Sequence, residues 1–170
     1  MVLLPVSRAA VLFAKNLALL PLAAVVTGCL LGLAALIWSV SWSVLLAGFL
    51  QFLGGYFLIC IVGNYTSTRA PFRVAPGSLK PTKTTTQTTL LLFGLYLLFP
   101  VVLVPLAIPP AVAWLGAILL PVDRGVLNLL GSALLLVIAG GVYRFSLAFS
   151  GEYLQGREQK ILETLSSPVE

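Results

Sequence analysis

Three stretches of this chain, residues 16–39, 42–62 and 88–108, contain no charged side chain, and a fourth, 125–149, contains only Arg144. Each is close to the roughly 20 residues that a helix needs to cross about 30 Å of hydrocarbon. In lipid a lone segment must satisfy its backbone N–H and C=O groups internally, which a helix does and an open strand does not. The pattern predicts an all-α membrane protein with four transmembrane helices, at 16–39, 42–63, 88–108 and 125–149. Composition agrees, because 59% hydrophobic residues, 9% charged residues and a mean hydropathy of +1.08 exceed what a soluble domain of 170 residues can bury. One transmembrane domain over 1–170 is expected, with a cytoplasmic tail at 150–170.

The basic residues orient the helices. Arg8 and Lys15 precede the first span, Arg69, Arg73, Lys80 and Lys83 separate the second from the third, and Arg157 and Lys160 follow the fourth. Eight of ten basic residues thus share one side, which positive-inside bias assigns to the cytoplasm together with both termini, in a plasma or bacterial inner membrane. Pro5, Arg8 and Lys15 interrupt the N-terminal apolar run, so it reads as retained rather than as a cleaved signal. No basic run is interleaved with aromatics, which argues against nucleic acid as a partner.

Within the first span, Gly28-x-x-x-Gly32 is a surface that lets another helix approach closely, or simply glycine at its usual frequency in membrane helices. Trp38 and Trp42 mark one membrane interface. Cys29 and Cys60 fall at different depths of the first hairpin, about 18 and 6 Å from its inner edge, and are not expected to pair. Asn64-Tyr-Thr matches a glycosylation sequon but lies on the predicted inner side, where it reads as a helix end. Pro100 and Pro105 are expected to kink the third helix. The proline-bracketed apolar segment at 110–121 is too short to span, so it is expected to form a short re-entrant or interfacial helix on the external side. Beyond residue 149, charged and apolar residues alternate with amphipathic spacing, which continues the last helix out of the membrane.

Chemistry-bearing residues are few. The chain has no histidine, no Cys-x-x-Cys and no paired carboxylates, so the sequence suggests neither catalytic nor metal-binding nor cofactor-binding residues, and no enzyme. No phosphate-binding glycine loop is present, which leaves any ATP hydrolysis to a partner subunit. Arg144 is the single ionisable residue inside a span and is placed to snorkel to the inner surface.

Several segments together resemble one family. Pro5-Val6-Ser7-Arg8, followed by Lys15-Asn16-Leu17-Ala18 at the opening of a span, resembles the "P-x-S/P-R-R…GKNLA" entry to a helix of type-2 ABC exporter permeases. Gly156-Arg157-Glu158-Gln159-Lys160-Ile161-Leu162-Glu163, with Val169-Glu170 at the end, resembles the tail of some bacterial members, and 73–81 resembles a loop of one subgroup. The resemblance covers the last four of the family's usual six spans. It implies a membrane domain that works as a dimer with a second permease domain, with an ABC-type ATPase subunit at the cytoplasmic face and substrate passing between the two membrane domains.

Under that reading the path would be lined by weakly polar groups, for which Thr27, Ser43, Gln51, Tyr56, Tyr96, Asn128 and Ser132 are the candidates, and would suit a lipid-like or amphiphilic cargo. The same groups could equally serve as hydrogen bonds between helices. Arg8, Lys15, Arg157 and Lys160 are the candidate contacts to a cytoplasmic partner. The alternative function is a small non-transporting membrane protein, an assembly factor or partner subunit that binds other helices.

Overall fold

The computed structural model describes residues 7–69, 86–119 and 121–156. All regular structure among them is helical, and four stretches are long and apolar enough to cross a membrane. Helix α1 is Arg8–Trp38, α2 is Trp42–Arg69, α3 is Thr86–Leu103, α4 is Ile108–Leu119 and α5 is Arg124–Gly156. A 3₁₀ turn, Val104–Ala107, joins α3 to α4. The loop at 73–81, Arg157, Lys160 and the expected tail beyond residue 156 lie outside the described residues, while 150–156 continue α5.

Local chemistry sets the ends. Ser7 caps α1, its Oγ accepting from the Ala10 N–H at 3.3 Å, so the helix begins about two turns before the uncharged stretch. It stops at Ser39, whose left-handed φ of 47° turns the chain into α2. Asp123 caps α5 by accepting from the Val126 N–H at 3.1 Å, and its negative charge suits the positive end of the helix dipole. Helix α2 continues past its expected end at residue 63 to Arg69, which places Asn64 inside the helix.

Helices α2 and α5 form the centre, and they run parallel. Along the pair, Ser43 faces Gly125, Gln51 faces Asn128 and Ser132, Gly54 faces Leu135, Phe57 stacks on Tyr143 at 5.0 Å between ring centroids, and Arg69 lies over Tyr153. Small residues allow this approach: Gly54 of α2 lies against Leu135 and Gly125 of α5 against Ser43, and Ala47 and Ala139 are buried on the same two helices. Helix α1 runs antiparallel to both. Its Leu12 joins Cys60, Tyr143 and Leu147 in the main apolar core, and Ala9 backs onto Gly151. One end of the bundle thus carries Arg8, Lys15 and Arg69 and is called the basic end; Trp38 and Trp42 mark the tryptophan end.

The third crossing differs from expectation. Instead of a span ending at 108 and a separate re-entrant helix at 110–121, Phe93–Leu119 forms one apolar path of 27 residues. In its lower half Leu95, Tyr96 and Phe99 of α3 lie along α2; Leu106 of the 3₁₀ turn then reaches Gly55, and α4 climbs α5 from Pro109 beside Gly131 to Gly116 beside Leu127. The progression from Gly131 to Leu127 is toward the tryptophan end, so α4 extends the crossing rather than returning. The prolines that looked like brackets explain this. Pro105 sits in the first turn of the 3₁₀ segment, and Pro109 and Pro110 in the first turn of α4, where a missing N–H leaves no bond unmade.

Large apolar side chains face outward on every helix, among them Leu22, Leu36, Leu98, Leu119 and Val137. Exposed to water these would form a large sticky surface, but in lipid they are solvated.

Candidate functional site

With so few charges, the polar groups held inside the bundle are the places where chemistry is possible. Two clusters join helices; Thr68 and Ser150 are also buried, the Thr68 hydroxyl donating within α2 to the Asn64 and Tyr65 carbonyls. Toward the basic end, Asn16 Nδ2 of α1 donates to Tyr143 Oη of α5 at 2.8 Å and to Asn64 Oδ1 of α2 at 3.3 Å. Tyr56 Oη donates to the Asn16 backbone carbonyl, so three helices converge on one asparagine. Asn16 is 5% exposed and Asn64 1%. Among the described residues Asn64 Nδ2 has no hydrogen-bond partner. A buried, unpaired amide donor costs about 1–3 kcal/mol, so this cluster holds more donor capacity than the helices around it absorb.

The second cluster lies nearer the tryptophan end. Gln51 Nε2 donates to Asn128 Oδ1 and Ser132 Oγ, both at 3.0 Å, while the Ser132 hydroxyl donates to the Asn128 carbonyl at 2.6 Å. Ser132 is wholly buried. This cluster ties α2 to α5 at a fixed register.

No protein-family model, curated protein or solved structure matches the chain. The reading of the site therefore rests on its geometry.

The seven expected path residues do not share one passage. Gln51, Asn128 and Ser132 meet in the second cluster, whereas Tyr56 belongs to the first. Ser43 stands at the tryptophan end, 3.1 Å from Ser41 Oγ and against Gly125. Thr27 is half-buried on α1, and Tyr96, 77% exposed, lines an open groove between α2 and α3. Of the expected partner contacts, Arg8 opens α1, and Lys15 Nζ donates to Ser67 Oγ at 3.0 Å. Arg69 at the same end is held between the rings of Tyr65 and Tyr153, 5.1 and 4.8 Å from their centroids, which fastens the ends of α2 and α5 together.

Sequence reasoning missed Asn16, Asn64 and Tyr143. A signal existed: an asparagine in a long apolar helix is costly in lipid, so it marks a partner on another helix. Asn16 was read only as the start of a span and Asn64 as a helix end.

Both cysteines are free, Cys29 exposed and Cys60 buried, in keeping with their different depths. Both clusters consist of neutral donors and acceptors, able to hold helices in register or to bind a polar group by hydrogen bonds. Replacing Gln51 with leucine removes two bonds at one site, and the expected loss is about 1–2 kcal/mol of bundle stability. Equilibrium unfolding in mild detergent measures it; an unchanged midpoint would show the second cluster to be energetically idle.

Proposed function

We propose that the chain is a membrane-spanning permease component of an ATP-driven exporter, acting as a dimer with ATPase subunits at its basic end and moving a lipid-like or amphiphilic cargo. The observation that carries this reading is the meeting of two segments. The start of α1 lies in the first of the two stretches that resemble type-2 ABC permeases, and α5 ends at Gly156, where the second begins; the two helices meet where Ala9 backs onto Gly151. Helices far apart in the chain thereby come together at the basic end, which supports a docking surface for an ATPase there. In this reading the basic end and both termini are cytoplasmic, in agreement with positive-inside bias.

A second reading, a non-transporting partner subunit, is favoured by the scatter of the seven polar candidates and by Gly28 and Gly32, whose added Cβ atoms would meet nothing within 4 Å. One experiment separates the two. The tagged full-length chain is crosslinked in its native membrane, solubilised and recovered, with a reporter after Glu170 to record sidedness. The exporter reading expects a cytoplasmic reporter and a vanadate-sensitive ATPase that is recovered with the chain and lost on the double substitution of Arg8 and Arg157 by glutamate. Recovery of other membrane proteins with no ATPase would replace it with the second reading.

A further inference from the structure

We propose that the groove between α2 and α3 holds an acyl chain of an anionic phospholipid whose headgroup lies at Lys15 and Ser67. Ile59, Val62, Gly63, Thr66 and Ser67 share one face of α2 by their spacing of three and four, and Leu95, Tyr96 and Phe99 face them from α3. Gly63 forms the floor, since a Cβ added there would meet nothing within 4 Å.

Size and shape select the occupant. The groove encloses about 320 Å³ and opens sideways, with Ile59 and Tyr96 exposed along it. A helix with side chains is about 10 Å across and does not fit, whereas a single hydrocarbon chain does. From Ile59 to Ser67 the groove follows α2 for about 12 Å, roughly the depth from the interface into one leaflet. Its polarity is graded in the same direction: Ile59 and Phe99 are at the deep end, while Thr66 and Ser67 are at the basic end, where Lys15 Nζ sits 3.0 Å from Ser67 Oγ. An ammonium beside a hydroxyl at the mouth of an apolar slot matches an anionic headgroup in charge and its acyl chain in length. This inference does not depend on the exporter reading.

The test uses the full chain in nanodiscs with a trace of phospholipid carrying a photoreactive acyl chain, as phosphatidylglycerol or as phosphatidylcholine. Adducts are expected at 59–67 and 95–99, with the anionic lipid favoured by about fivefold, the worth of one lysine at the interface. Lys15→Gln should erase that preference while leaving phosphatidylcholine labelling unchanged, and Gly63→Leu should reduce labelling by both lipids. In a Cys29→Ser background, continued protection of Cys60 from thiol reagents reports that each variant is folded. Equal labelling by the two lipids, labelling as dense on the exposed face of α1 at Leu22 and Leu36, or indifference to Gly63→Leu in a folded protein would overturn the proposal. Because no ATPase is needed, failure here leaves the exporter reading standing.

Discussion

Substitution of Gly151 by leucine is expected to detach the start of α1 from α5, at a cost of about 3 kcal/mol or more. An added Cβ at Gly151 would stand 2.8 Å from the Ala9 nitrogen and 3.1 Å from its Cα, contacts that a rotamer change cannot relieve because they are backbone. Overpacking that side chains can absorb typically costs about 1–3 kcal/mol, and a backbone clash sits at or above the top of that range. The cleanest readout is Cys60, buried beneath α1 beside Leu12, Tyr143 and Leu147. In a Cys29→Ser background its reaction with a thiol reagent should accelerate sharply in Gly151→Leu and less in Gly151→Ala. Gly141 supplies the control: nothing lies within 4 Å of an added Cβ, so Gly141→Ala should leave Cys60 protected. Unaltered protection in Gly151→Leu would mean that the two helices do not meet as described.

Asn16→Leu should be the most destabilising change among the polar groups, by about 2–4 kcal/mol. It removes the donor shared by Tyr143 and Asn64 and leaves Asn64, already lacking a partner for its nitrogen, with neither end of its amide bonded. Tyr143→Phe removes one bond and should cost about 1 kcal/mol. The double variant Asn16→Leu with Asn64→Leu should recover much of the single loss, because replacing both partners with apolar groups leaves no orphaned amide. Unfolding midpoints of these variants and of the single Asn64→Leu in detergent decide this, and strictly additive losses in the double would rule out a shared cluster.

The spans were legible because absence of charge over some twenty residues permits little else in a chain this apolar. The path from α3 to α4 was not, because Pro109 and Pro110 interrupt a helix from within but are harmless in its first turn, and the sequence alone does not say which applies. Gln51, Asn128 and Ser132 stood out as polar residues in apolar runs. Their mutual bonding did not, since Gln51 and Asn128 are 77 residues apart. Adjacency in sequence also favours hairpins, so α1 and α2 looked like the natural pair. Gly54 against Leu135 and Gly125 against Ser43 instead give α2 its main neighbour in α5, while Gly55 meets Leu106.

The parallel pairing of α2 with α5 bears on how the chain is made. A helix reaches its parallel neighbour only after a further crossing, so during synthesis α2 enters the bilayer well before residues 124–156 exist. Asn64 can meet Asn16 as soon as the first hairpin is in place, but Gln51 must wait for Asn128 and Ser132. Until then its amide is stranded at membrane depth, an expensive state in hydrocarbon. A nascent chain paused after α4 would therefore be a natural client for the insertion machinery or for a chaperone that shields polar groups in lipid, and emergence of α5 would release it.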